Sequence, residues 1–356
     1  MARRARASIV SRRSALGIAV FTPIPNARGG LMMRRSTCRG CDVMTCGCLD
    51  RCRLRSGVSA GGWSFDSIGT HDSMMANLPT PEYALGSSDA EHERLIWQAL
   101  RLAPLTERFF HEAGIVSGQR VLDLGSGLGD VAMLVGRIVG PSGEVVGIER
   151  DSRSIARART RAAEAGLHNV SFLESDAGKI ADGKPFDAAV GRFILEFVPD
   201  PVAVLRGVSN AVRPGGTIAF QEVSWAHFLL ASTGLALWSA SASLARETLQ
   251  RSGANVEIGF ALYRIFQEAG LPAPIMRMEM PLGSEPDSVR WLYEFLSSLR
   301  PQIRKQGLSL EPLGDFDTLL MRLQAEVTAS KTVVPVVAAL VGAWCHKPHS
   351  KPKDNA

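Results

Sequence analysis

Val121-Leu122-Asp123-Leu124-Gly125-Ser126-Gly127-Leu128-Gly129-Asp130 decides the fold of this chain. Mostly apolar residues run into three glycines, and helically spaced apolar residues follow through Val139. The pattern reads as a buried strand, a tight turn and a helix start. Glycine permits the sharp turn and lets a ligand approach the backbone. The spacing discriminates further. A dinucleotide-binding turn follows G-x-G-x-x-G. Here the order is G-x-G-x-G, and Asp130 stands where that pattern needs its third glycine. Asp123 lies two positions before the first glycine, inside the end of the strand. A carboxylate there repels a pyrophosphate and suits an ammonium group.

Working outward, strands are expected at Arg120–Leu124, Val145–Ile148, Val170–Leu173, Phe186–Val190 and Thr217–Val223. Helices at Val131–Val139, Ser152–Ala165 and Val202–Val212 alternate with them. Such alternation implies right-handed crossovers and a parallel sheet covered on both faces. Upstream, Ser88 is set to cap a helix over Glu91–Leu102, which Pro104 should break before a second one at Leu105–Ala113. Downstream, helices are expected at Leu229–Leu249, Ile258–Ala269, Val289–Leu299 and Phe316–Val327. Met276, Met278 and Met280 suggest a strand whose methionines fill the core, and Val336–Cys345 a last strand.

Charge and cysteine divide the chain of 356 residues unevenly. Residues 1–55 hold twelve arginines against Asp42 and Asp50, a net of +10, so the overall +5 leaves the rest at −5. A mildly acidic body gives no electrostatic support for nucleic-acid binding. Cys38, Cys41, Cys46, Cys48 and Cys52 crowd the same segment, and Cys345 stands alone. A nearly cysteine-free body is expected in a reduced compartment, here the cytoplasm. Residues 1–75 read as a disordered extension or an over-extended frame starting at Met74 or Met75. A targeting segment around Ser11-Arg12-Arg13 and a zinc site at Cys38–Cys41 stand as alternatives. No apolar run reaches the roughly 20 residues of a membrane span; the longest, Val333–Trp344, contains Pro335. No partner macromolecule is implied, and the oligomeric state is left open.

Two more acids fall in register with Asp123. Glu149 follows the second strand, where a carboxylate can take both hydroxyls of a ribose. Asp176-Ala177 follows the third, where a carboxylate can accept from an adenine amino group. All three sit at the carboxyl ends of successive strands, the edge at which such sheets bind ligands.

These motifs together resemble the class I S-adenosylmethionine-dependent methyltransferases. Val121–Gly129 is similar to that family's V-L-D-x-G-x-G-x-G, and Val145–Glu149 to its second motif. Ser175-Asp176-Ala177 resembles the adenine-binding segment, and Phe186–Val190 the fourth-strand motif. Leu195-Glu196-Phe197-Val198-Pro199-Asp200-Pro201 resembles L-E-H-x-x-D-P, with Phe197 in place of histidine. Arg213-Pro214-Gly215-Gly216 matches the turn before the fifth strand. The likeness spans about Gln119–Val223 and is nearest to the small-molecule branch of ubiquinone and menaquinone biosynthesis.

The resemblance implies a Rossmann-like, doubly wound, mostly parallel seven-stranded sheet with helices on both faces. It implies one methyltransferase domain over residues 76–350, with a cofactor-binding core at 119–223. A helical acceptor-side insert would follow at 224–330, and a closing strand at 336–345. The implied cofactor is S-adenosyl-L-methionine. Gly125, Ser126 and Gly127 would approach its methionine end, with Asp123 holding the ammonium directly or through water. Glu149 and Arg150 would take the ribose side, Asp176 and Ala177 the adenine, and Gly191 and Arg192 would flank the sulfonium. Methyl transfer is an in-line displacement that needs alignment above all, and a base only for a protonated acceptor. Glu222 and His92 are the candidate catalytic residues, with His227 and Tyr83 behind them. Trp225, Phe228, Trp238, Trp291 and Phe295 are candidates to wall an apolar pocket for a small-molecule acceptor. A nicotinamide-dependent oxidoreductase and a non-catalytic cofactor-binding protein are the competing functions. No metal site is expected in the body.

Overall fold

The computed structural model describes residues 85–86, 88–180, 183–231 and 234–349. The arginine- and cysteine-rich segment 1–75 and Tyr83 lie outside the described residues. Five parallel strands form as the alternation predicts: β1 (Arg120–Leu124), β2 (Glu144–Glu149), β3 (Val170–Glu174), β4 (Phe186–Arg192) and β5 (Val212–Ser224). Two more, β6 (Ile275–Glu279) and β7 (Ala339–His346), complete a seven-stranded sheet in the order β3-β2-β1-β4-β5-β7-β6. The closing strand β7 runs antiparallel to both of its neighbours. A separate two-residue ladder joins Leu282–Gly283 to Val334–Pro335.

Period-two alternation splits the core between the two faces of the sheet. Leu122, Leu124, Val146, Ile148, Ile218 and Phe220 belong to one buried cluster, with residues of α4 (Pro201–Ala211), α6 (Ala236–Arg251), α7 (Ile258–Glu268) and α8 (Arg290–Lys305). Val121, Val145, Val190, Ala219 and Trp344 point the other way. They meet α2 (Asp130–Val139), α3 (Ser152–Glu164) and the Phe109–Phe110 end of α1 (Asp89–Glu112). The chain leaves β1 toward β2 on one side, while β4 adds on its other side. That reversal opens a crevice at the carboxyl ends of β1 and β4.

Several expectations are corrected. Pro104 does not break the first helix; α1 runs unbroken from Asp89 with Ser88 as its N-cap. Pro104 forfeits only the bond to the Leu100 carbonyl, and both residues are exposed, so water satisfies that carbonyl. The helix expected over Leu229–Leu249 is two, α5 (Trp225–Ala231) and α6, parted near Gly234. β5 starts five residues early, at Val212, because a register shift between Phe186 and Ala188 takes up the Pro214–Gly216 segment. The methionine strand is real but is the sheet edge, so Met278 is 45% exposed and Ile275 60%.

The helical insert is tied together by long-range caps. α6 begins at Leu235, which offers no side-chain cap. Glu326 of α9 (Leu319–Ser330) supplies it, accepting from the amides of Leu237 and Trp238 at 2.8 Å each. Glu326→Ala is expected to cost about 1–2 kcal/mol in a denaturant melt, with part of that loss spared in Glu326→Gln.

Candidate functional site

The glycine turn takes the conformation its sequence requires. Gly125, Gly127 and Gly129 all have positive φ, at +66°, +51° and +81°. A Cβ at Gly125 would stand 2.5 Å from Ile194 Cδ1, and one at Gly129 2.7 Å from Phe172 Cζ. At Gly127 a Cβ would meet no atom within 4 Å, because the backbone there faces open space. That space is a cavity of about 1470 Å³. Single small-molecule sites occupy roughly 300–1,000 Å³, so the cavity has room for two ligands side by side.

One end of the cavity is polar. Gly125, Ser126, Gly127, Glu149, Arg150, Asp176, Ala177 and Arg192 line it. The Glu149 carboxylate is held by backbone amides: Oε2 accepts from Gly127 at 3.0 Å, and Oε1 from Arg150 at 2.8 Å and Asp151 at 3.0 Å. The end of β2 is thereby fastened to the glycine turn, and Oε2 keeps a lone pair for a hydroxyl. Asp176 Oδ1 closes a local turn onto the Gly178 amide at 2.8 Å. Arg192 donates to Thr106 Oγ1 at 3.0 Å, and Thr106 donates to Gln221 at 2.8 Å.

Two of the expected cofactor residues stand behind the wall rather than on it. Asp123 is 1% exposed and does not line the cavity, and its Oδ2 has no partner. Burial pushes its carboxyl up to about 8 against the opposing field of Arg192. Gly191 is buried too, and a Cβ there would fall 2.5 Å from Phe220 Cε1. It lets Phe220 pack against β4.

The other end of the cavity is apolar, lined by Val223, Trp225, Leu249, Trp291, Phe295, Val337 and Ala338. Of the five aromatic candidates, Trp225, Trp291 and Phe295 reach this wall. Phe228 and Trp238 are wholly buried behind it. The ring centroids of Trp225 and Trp291 are 5.9 Å apart, and those of Trp291 and Phe295 5.0 Å. Gln98 and Arg94 also line the cavity, and the Gln98 amide oxygen accepts from Trp291 Nε1 at 2.6 Å and from Arg94 at 2.9 Å. Arg94 also pairs with the buried Glu91.

The two catalytic candidates are placed differently from their expectation. Glu222 is 0% exposed and is not on the cavity wall. Its Oε1 accepts from the amides of Ile194 at 3.2 Å and Leu195 at 2.9 Å, which fixes the turn after β4. His92 does line the cavity, with an unpartnered Nε2, but Asp151 at the start of α3 is the acid its charge acts on. It therefore belongs to the ribose end. His227 is not on the wall; its Nδ1 lies 2.9 Å from Ser224 Oγ, and its ring stacks on Phe260. In the turn after β4 the acid that reaches the cavity is Glu196, beside the Phe197 position to which the sequence motif draws attention. Its signal was a carboxylate one residue before that position, in the turn directly following β4.

Residues 115–270 match a family model described as a methyltransferase domain. The match and the seven-stranded Rossmann-like sheet support a methyltransferase domain of the class I, S-adenosylmethionine-dependent type. Among its relatives, the ubiquinone biosynthesis O-methyltransferase of Albidiferax ferrireducens is 32% identical over 138 residues, 38% of this chain and 54% of that protein. The ubiquinone/menaquinone biosynthesis C-methyltransferase UbiE of Pseudomonas putida is 34% identical over 123 residues, 34% of this chain and 48% of that protein. The chain thus spans about half the length of the curated relatives it matches. A solved SAM-dependent methyltransferase from Aquifex aeolicus overlaps 39% of this chain and 75% of its own, at 24% identity and a TM-score of 0.36.

The residues present fit S-adenosylmethionine. Gly127 leaves an open backbone approach, Glu149 offers a free lone pair, and buried polar atoms on Ser126 and His92 lack partners. A ligand rich in amino, carboxylate and hydroxyl groups offers each of them a hydrogen-bond partner.

Proposed function

We propose that this protein transfers the methyl group of S-adenosylmethionine to a small, fairly apolar molecule by in-line displacement. The observation that carries this reading is a single cavity with a polar end at the glycine turn and an aromatic end on the C-terminal helices. S-adenosylmethionine supplies a methyl already activated on a positive sulfur. Gly125, Ser126 and Gly127 hold the methionine end, and Asp123 supports its ammonium through the turn. Glu149 and Arg150 bind the ribose, with His92 beside them, and Asp176 with Ala177 the adenine. Arg192 flanks the sulfur, with Gly191 as the packing partner that sets its strand. Trp225, Trp291 and Phe295 exclude water and orient the acceptor, which is the main demand of a displacement with an activated donor.

The methyltransferase-domain match favours this reading over a nicotinamide-dependent oxidoreductase. The fold boundaries proposed are a domain over 76–350 with its core at 119–223, and a cytoplasmic setting agrees with the single cysteine, Cys345, beyond residue 52. No helix among the described residues is long and apolar enough to cross a membrane. Incubating the full chain with radiolabelled S-adenosylmethionine and a panel of apolar phenols, amines and quinols tests the function. Label transfer with release of S-adenosylhomocysteine is expected. Tight cofactor binding without transfer to any of them would instead mark a non-catalytic binding protein.

A further inference from the structure

Six acids line the cavity, and five have structural occupations. Asp130 pairs with Arg161 at 2.7 Å, and Glu149 is held by three amides. Asp151 and Asp200 cap α3 and α4, and Asp176 closes its own turn. Glu196 is different. It is 6% exposed, and its carboxyl has no ion pair or hydrogen bond among the described residues. It sits in the turn Leu195–Phe197 directly after β4, on the wall of the cavity. Behind it, Glu222 binds the amides of that same turn and keeps its Oε2 unpartnered. A buried carboxyl pair with unfilled acceptor capacity, one member open to a cavity, is an arrangement made to hold or take a proton.

We propose that Glu196 is the catalytic residue that takes the acceptor's proton, that Glu222 is its positioning partner, and that the acceptor presents a hydroxyl on an aromatic or enolic body. This rests on the methyl-transfer function proposed above. The acceptor oxygen forms its bond to the methyl carbon as the carbon–sulfur bond breaks with its electron pair left on sulfur. The hydroxyl proton passes to the Glu196 carboxylate, which returns it to water once the product has left.

The electrostatics suit a hydroxyl. An ordinary glutamate at about 4.3 is a poor base for a phenol at about 10. Burial, then the charge of Glu222, raises Glu196 well above that ordinary value, and burial pushes Glu222 up to about 8. That rise narrows the gap, and the charge of Glu222 couples the two titrations. Arg94 of α1 pairs with Glu91 and Arg246 of α6 with Glu257, while Arg192 of β4 donates to Thr106 Oγ1 and its charge acts on Asp130 and Asp123. Among the described residues, burial and the charge of Glu222 are what set the Glu196 carboxyl, both toward the protonated form.

The test uses the full chain, S-adenosylmethionine, simple phenols and naphthols as probes, and carbon-13 NMR of labelled glutamate carboxyls. Glu196→Gln is expected to lower kcat by about 100- to 10,000-fold with cofactor affinity within twofold. The loss should shrink as pH approaches the phenol's own ionisation. Glu222→Gln should move the acidic limb of the pH–rate profile to lower pH, which a purely structural role would not do. By NMR, the wild-type pair should titrate in two steps, at least one above pH 6, and Glu222→Gln should bring the remaining carboxyl down. Wild-type rates and pH profile in Glu196→Gln, or both carboxyls titrating below pH 5, would overturn the proposal. Cofactor binding with transfer to other acceptors but to no phenol or naphthol would overturn the hydroxyl assignment. Failure of the wild type to bind S-adenosylmethionine would instead overturn the underlying methyl-transfer function.

Discussion

Glu149→Ala is expected to weaken S-adenosylmethionine binding by at least 100-fold, about 2.7 kcal/mol, and to lower the stability of the free protein as well. Two losses combine. The ribose loses its carboxylate, and the amides of Gly127, Arg150 and Asp151 lose their shared acceptor. Hydrogen bonds to a charged group contribute about 1.5–3 kcal/mol each, less where water can replace the acceptor. Arg150 is exposed, so its amide is rehydrated, whereas Gly127 is only partly accessible. Glu149→Gln separates the effects. One amide oxygen still serves Arg150 and Asp151, but an NH2 now opposes the Gly127 N–H. Most of the melting temperature should return while affinity stays low. Calorimetric titration beside a thermal melt reads both.

Asp123 is expected to make both stability and binding depend on pH, in opposite senses. Its folded-state carboxyl is raised from 3.8 to about 8 by burial. A group raised in this way contributes its stability below the unfolded value and loses it as pH climbs through the folded one. The free protein should therefore weaken between pH 4 and pH 8, by on the order of 5 kcal/mol from this residue. Glu222, raised to about 8 for the same reason, adds to the slope. Asp123→Asn should flatten that slope and melt no lower than wild type at pH 8. Binding runs the other way. A ligand ammonium near the turn favours the ionised carboxylate, so cofactor binding releases a proton below pH 8, and affinity should rise up to tenfold per unit from pH 6 to pH 7.5. Titrations in two buffers of different ionisation enthalpy count that proton. In Asp123→Asn the release should vanish, and affinity near pH 8 should fall about 10- to 100-fold with little change at pH 6.

The cofactor end was legible because its parts are local. β1, the glycine turn and α2 are contiguous, and Glu149 and Asp176 each end a strand whose apolar run is plain. Where local patterns failed, the cause lay elsewhere in the fold. Pro104 looked like a break because nothing near it shows that its lost bond falls on a hydrated face. Met276 does pack against the core, but Met278 looked like core only because alternation cannot tell an edge strand from a central one.

The acceptor end was harder to read for the same reason. Its wall gathers Trp225 after β5, Trp291 and Phe295 from α8, and Val337 before β7. Only tertiary packing separates these from Phe228 and Trp238, which have the same composition and spacing but sit in the core. Glu222 and Glu196 show the point most sharply. A carboxylate at the end of β5 seemed the natural base, yet its side chain anchors the turn that carries Glu196 to the cavity.

The central claim is that the carboxyl edge of β1–β4 holds S-adenosylmethionine at the Gly125–Gly129 turn. Isothermal calorimetry of S-adenosylhomocysteine into the full chain, wild type beside Glu149→Ala, tests it most directly. One-site micromolar or tighter binding by the wild type, weakened at least 100-fold in the variant, is predicted. No heat of binding in the wild type, or equal affinity in both proteins, would contradict it.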